Sequence, residues 1–179
     1  MNQILIQGIG FFALFFVILS FQKKKRVSLL LIMLAGLLLF VVHFSLLKAW
    51  TGALMNLVEA GVVFVSYKRE VSGWAKKSFW PYVFILLYIL FGLLTVKNRI
   101  DILPIIAQIF GAIAVWQKNP RIIRYIMLAP RPLWFIYNAT VGSYAGMMTE
   151  ILIFISVIIG IVRFDILRKN SGDLHASVS

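Results

Sequence analysis

The stretch IIRYIMLAPRPLWFIYNAT, from Ile122 to Thr140, is apolar enough to cross a lipid bilayer, yet it carries Arg131 between Pro130 and Pro132. A full charge near the bilayer centre costs at least about 2.5 to 3.5 kcal/mol. A proline inside a helix removes a backbone donor and bends it. Both are tolerable only where that side of the helix faces protein or a watered cavity. The stretch therefore predicts an interior helix of a membrane bundle, with Pro130 and Pro132 as a hinge and Arg131 turned toward a partner.

The rest of the chain agrees. Of its 179 residues 61% are hydrophobic and 13% charged, and the mean hydropathy is +0.95. A soluble domain of this size cannot hide that much apolar surface, so the class is integral membrane protein. The net charge of +12 comes from basic residues that flank apolar runs. They read as topological signals, and nucleic acid is not expected as a partner. Without cysteine there is neither disulfide nor thiol chemistry.

A spanning helix needs about 20 apolar residues. Seven segments qualify: Gln3 to Phe21, Val27 to Leu47, Trp50 to Tyr67, Phe79 to Val96, Ile102 to Trp116, Ile122 to Val141, and Gly146 to Val162. The fifth contains Pro104, a further candidate hinge. Lys and Arg in short loops set orientation. With the N-terminus outside, fourteen basic residues are cytoplasmic, from Lys23–Arg26 through Lys68, Arg69, Lys76, Lys77, Lys118, Arg121 and Arg124 to Arg163, Arg168 and Lys169. Only Lys48, Lys97 and Arg99 face out. This predicts a multi-pass protein with a periplasmic N-terminus and a cytoplasmic C-terminus. The positive charge follows the first apolar segment, which suits a retained span rather than a cleaved signal. Trp50, Trp74, Trp80 and Trp116 fall at predicted interfaces, and the polar tail 169–179 reads as disordered.

The chain repeats itself. SFQKKKR closes the first span and VWQKNPR the fifth; IMLA recurs at Ile32 to Ala35 and Ile126 to Ala129; WTGALMNLVE from Trp50 aligns with YAGMMTEILI from Tyr144. Gly52 then matches Gly146 and Asn56 matches Glu150. The plan is three spans (1–70), a loop and linker span (71–99), and three spans (100–168). An odd linker leaves the two units parallel, and such repeats bind substrate at their interface.

In GFFALFFVILSFQKKKR, HFSLLKAWTGALMN and PLWFIYNATVGSYAGMMTE the chain resembles the YgjV family of bacterial inner-membrane proteins over nearly its whole length. More distantly, the 3+1+3 plan and the glutamines ahead of basic residues look like the PQ-loop and SWEET superfamily of carriers. The usual proline before each glutamine is replaced by Phe21 and Trp116. That resemblance implies substrate contact from Asn56 on the third helix. Its counterpart here is Glu150, which departs from the asparagine pattern of sugar carriers.

Polar residues fall in two layers. His43, Asn56, Asn138 and Glu150 lie a turn or so inside the outer boundary, while Glu59, Gln108 and Arg131 lie nearer the midplane. Asn56 and Glu59, at i and i+3, share a helix face. None comes from the linker span. Glu59 matches Arg131 in depth and is the expected charge partner; Glu150 lies on the order of 10 Å nearer the outside. The expected substrate-binding set is Asn56, Glu59, Gln108, Arg131, Asn138 and Glu150. His43 is a packing residue first and a proton sensor second. The Gly142/Gly146 spacing in GSYAG suits a turn more than a dimer face, and a homo-oligomer is compatible with it.

No HExxH, GxSxG or phosphate loop is present, and two histidines make no metal site. Neither enzyme chemistry nor a cofactor or metal is expected. The preferred reading is a secondary transporter of a small polar solute, with the fixed charge of Arg131 favouring a zwitterion or anion. The alternative is a non-transporting assembly or regulatory protein whose basic loop SYKREVSGWAKKS forms its cytoplasmic face.

Overall fold

A computed structural model describes residues 2–115, 117 and 119–167. Trp116, Lys118, Arg168, Lys169 and the tail 169–179 lie outside the described residues. Among the described residues every regular element is helical: α1 (Gln3–Phe21), α2 (Arg26–Leu46), α3 (Trp50–Val71), α4 (Trp80–Thr95), α5 (Ile102–Val115), α6 (Pro120–Ile126), α7 (Pro130–Val141) and α8 (Tyr144–Ile161), the last continuing as a π-helical segment over Val162–Leu167.

The helices α1, α2 and Tyr144–Leu167 are long and apolar enough to cross a membrane, and α4 is a shorter apolar helix. Large apolar side chains stand outward, among them Phe12 and Phe15 of α1, Leu86 and Leu93 of α4, and Phe154 and Ile159 of α8. The interior instead holds His43, Asn56, Asn138 and Glu150. An apolar exterior around a partly polar interior is the arrangement that lipid as solvent favours.

The stretch from Ile122 to Thr140 is not one bent helix. It breaks into α6 and α7, with Met127–Ala129 forming a turn between them. Pro130 and Pro132 sit in the first turn of α7, where missing N–H groups leave nothing undone. The carbonyls they would have served are satisfied three residues on: Ala129 N–H donates to Ile126 O at 3.1 Å, and Arg131 N–H to Leu128 O at 3.3 Å. Pro104 likewise lies in the first turn of α5, fully buried. All three prolines therefore start helices rather than kink them.

Two turns share one construction. After α2, Lys48 adopts φ 58°, and after α7, Gly142 adopts φ 71°; these are the positive-φ residues of the described backbone. In each, the following N–H reaches a carbonyl five residues back, Ala49 to Phe44 at 2.9 Å and Ser143 to Asn138 at 2.8 Å. This left-handed C-cap satisfies carbonyls that the helix end leaves free.

Neighbouring helices pack in series. α2 lies between α1 and α3, and α7 lies between α5 and α8. α4 packs on α3 and α5, and the two sets of three meet where α1 touches α8 and where α3 touches α5. One end of the molecule carries Lys23–Arg26, Lys68 and Arg69, and is called here the basic end. Ion pairs tie it: Arg26 to Glu70 at 2.9 Å, exposed, and Arg124 to Asp165, where Asp165 is only 5% exposed. The Arg124 pair is bidentate, with Nε to Oδ2 at 2.9 Å and Nη2 to Oδ1 at 2.5 Å.

Candidate binding cavity

Six of the polar residues singled out in the sequence lie on four separate helices, α3, α5, α7 and α8, and the fold brings them to one place. Asn56, Glu59, Gln108, Arg131, Asn138 and Glu150 all line a single cavity of about 260 Å³. Its walls come from α1, α2, α3, α5, α7, α8 and the α6–α7 turn, and none of its lining residues belongs to α4. The apolar part of the wall includes Phe40, Phe44 and Trp134. Their rings are linked, Phe40 to Phe44 at 6.0 Å and Phe44 to Trp134 at 6.1 Å between centroids.

Arg131 finds a different partner from the one its depth suggests. Its Nη1 lies 2.9 Å from Glu150 Oε2, with the two side chains 11% and 10% exposed. The contact is ionic, without aligned hydrogen-bond geometry, and Arg131 Nε has no hydrogen-bond partner among the described residues. Two features explain the choice. α7 and α8 form an antiparallel hairpin, and an arginine side chain spans the offset of a helical turn between them. Glu59, meanwhile, is taken: the hydroxyl of Tyr88 on α4 donates a short hydrogen bond to its Oε2. Tyr88 is 1% exposed. A buried phenol needs a partner, so a tyrosine inside the apolar run FILLYILFG was the available signal for this contact, although the sequence reading assigned α4 no polar role.

The amides are half committed. Asn56 Nδ2 donates to Gly52 O at 2.9 Å and Gln108 Nε2 to Met55 O at 3.5 Å. One N–H of each is thus turned to backbone, and the carbonyl oxygen of each is left over. Asn138 is 1% exposed, and its Oδ1 has no hydrogen-bond partner among the described residues.

Two glycines stand one turn outside Asn56 and Glu150, and of the two Gly146 lines the cavity. Gly52 is the third residue of α3 and Gly146 the third of α8. Each N–H is one that a helix start leaves free. Gly52 N–H donates to Tyr137 Oη at 2.8 Å, and Gly146 N–H to the Ser143 hydroxyl at 3.1 Å. A Cβ would sit 2.8 Å from Tyr137 Cε1 at position 52 and 2.3 Å from Asn138 Oδ1 at position 146. One turn further along, Asn56 and Glu150 enter the cavity.

His43 does not line the cavity. It is fully buried, with Nδ1 at 2.9 Å from Ile6 O and Nε2 at 2.8 Å from Ser143 Oγ. A carbonyl only accepts, so Nδ1 carries the proton and Nε2 accepts from Ser143. Gln7 adds a clamp, donating to Gly142 O at 2.7 Å and accepting from Tyr144 N–H at 3.2 Å. The end of the molecule opposite the basic one is thereby closed by hydrogen bonds from α1 and α2 to the α7–α8 turn. Toward the basic end the cavity lining reaches Met127 and Phe21, the last residue of α1 and 58% exposed.

A family model described as Imp-YgjV, bacterial inner membrane protein, matches residues 4–168. No curated protein and no solved structure matches the chain.

Proposed function

The chain belongs to the Imp-YgjV family of bacterial inner membrane proteins, and from that premise we propose that it is a secondary transporter of a small polar solute, working by alternating access between two three-helix units. The observation that carries this reading is the cavity itself. Six polar side chains from both sets of three helices converge on one space of about 260 Å³, inside a protein whose outer surface is apolar.

The two units are residues 1–70 and 100–168, joined by the linker helix α4. Several observations support their kinship. Under the offset of the sequence repeat, α1 corresponds to α5, α2 to α6 and α7 together, and α3 to α8. The contacts α1–α8 and α3–α5 then exchange with each other. Lys48 and Gly142 make the same left-handed turn with the same hydrogen bond. Gly52 and Gly146 occupy the same helix position, with Asn56 and Glu150 a turn inside each. Bistable packing of two such units is what rocking requires.

In the proposed cycle the present arrangement is the one open toward the basic, cytoplasmic side. His43, Ser143, Gln7 and Tyr137 hold the periplasmic side shut, and breaking those bonds is the opening step. The multi-pass topology has its N-terminus in the periplasm, and no enzyme chemistry enters the cycle.

The test is flux. The purified protein in vesicles, offered a broad panel of labelled metabolites, should move at least one class, and Arg131→Leu should stop it. If no solute moves, and cells tolerate Arg131→Leu while changes in the basic loop Ser66–Ser78 give a phenotype, an assembly or regulatory role replaces this one.

A further inference from the structure

The cavity's charges are not evenly matched. Arg131 is engaged by Glu150 at 2.9 Å. That leaves Glu59 as the cavity carboxylate held by a neutral hydroxyl, that of Tyr88. Among the described residues that line the cavity, Arg131 is the single cation and Glu59 and Glu150 are the carboxylates. One cation thus faces two carboxylates, so the positive charge that favours an anion in the sequence is outnumbered in the fold.

The neutral groups point the same way. Asn56 and Gln108 each commit one N–H to a backbone carbonyl, that of Gly52 and that of Met55. The carbonyl oxygens that remain are acceptors, as is the unpartnered Oδ1 of Asn138. Asn56 and Glu59 share one face of α3, and Gln108 bonds to the backbone of that helix. A pocket rich in acceptors, with one more carboxylate than cation, suits a donor-rich cation. The same cavity is also lined by Phe40, Phe44 and Trp134. Aromatic faces attract an ammonium group and also cover apolar surface.

We propose that the solute carries an ammonium group, seated against Glu59 with Asn56 and Gln108 as further acceptors, and an apolar remainder lying on Phe40, Phe44 and Trp134. The inference rests on the carrier reading of this cavity and narrows it from polar solutes at large to amphipathic amines, whether or not they also bear a carboxylate.

The test uses full-length protein in detergent and three amines of increasing apolar size: n-butylamine, cyclohexylmethylamine and phenethylamine. Each is paired with the carboxylic acid of the same skeleton. At least one amine should raise the melting temperature, and none of the acids should do so more than its amine. Loss of a hydrogen bond to a charged group weakens binding by about tenfold or more. Glu59→Gln should weaken amine binding by that much while keeping the acceptor for Tyr88, so folding is preserved. Should that variant not fold, Glu59→Asp retains the charge but withdraws it, and an intermediate loss is expected. The inference is overturned if no amine shifts the melting temperature, if the acids bind better, or if amine affinity is unchanged at position 59. Amine binding without flux in vesicles would sink the carrier reading and leave this one standing. Flux of an acid without amine binding would do the reverse.

Discussion

Arg131 in the first turn of α7 faces Glu150 on α8 across 2.9 Å, each side chain about nine-tenths withdrawn from the surface. A cation in the first turn opposes the helix dipole, so the carboxylate offsets both the burial and the position of the charge. Removing one member of a buried pair leaves the other uncompensated, which costs about 3–5 kcal/mol, whereas replacing both with apolar groups can be neutral. Arg131→Leu is therefore expected to lower the melting temperature sharply, and Arg131→Leu combined with Glu150→Leu to recover most of it. Thermal unfolding of the four proteins in one detergent closes the cycle. Additive losses would mean that the two residues do not act as a pair.

The first turns of α3 and α8 each depend on a glycine for close approach. At position 146 a Cβ would come within 2.3 Å of Asn138 Oδ1 and 2.6 Å of Ser143 Oγ; at position 52 it would meet Tyr137 Cε1 at 2.8 Å and Phe44 Cδ1 at 3.0 Å. Overpacking of this kind costs about 1–3 kcal/mol. Gly146→Ala and Gly52→Ala should both destabilise, the first more because its neighbours are tighter and include the turn's own cap. Gly8→Ala is the control, since nothing lies within 4 Å of the added methyl; it should be neutral or gain stability from better helix propensity. Equal melting temperatures for all three variants would contradict the packing described.

Much of the site was legible in the sequence, and its pairings were not. Residue depth along apolar runs was enough to single out Asn56, Glu59, Gln108, Arg131, Asn138 and Glu150, because a polar group in such a run must face inward. Depth alone gave Arg131 the wrong partner. It says nothing about azimuth, so it could not tell that Tyr88 of α4 would occupy Glu59 or that the hairpin would carry Glu150 to Arg131. The helix break at Met127–Ala129 was hidden for a related reason. Hydropathy runs through it without a dip, and two prolines signal either a kink or a new start. Only the i+3 bonds from Ala129 and Arg131 distinguish them. The pair Arg124–Asp165 was missed because both residues read as loop charges.

Tyr137 caps a helix that is not its own. Ala49 precedes α3 and offers no side-chain cap, so the Gly52 N–H is met by the Tyr137 hydroxyl from α7, at 2.8 Å and fully buried. Tyr137→Phe keeps the ring against Phe44 and removes that acceptor. An unsatisfied buried N–H costs about 1–3 kcal/mol. The expected result is a lower melting temperature, with faster amide exchange confined to the first turn of α3. Protection at Gly52 equal to that of the parent protein would show that the hydroxyl does not serve this role.

The two left-handed turns should answer substitution with opposite signs. Lys48 holds φ 58° with a side chain and is exposed, while Gly142 holds φ 71° without one. For an L-residue the left-handed region costs about 1–2 kcal/mol, of which glycine returns part through its looser unfolded chain. Lys48→Gly is thus expected to stabilise by up to about 1 kcal/mol, which for a chain of this size is roughly 2–4 °C in melting temperature. Gly142→Ala should destabilise by about the same amount. Nothing lies within 4 Å of a methyl there, so the loss would be a backbone effect free of steric clash. Gly142→Asn, which tolerates the left-handed region better than alanine, should fall between glycine and alanine. If Lys48→Gly destabilises instead, the turn after α2 owes its shape to the lysine side chain, and its likeness to the turn after α7 ends at the backbone.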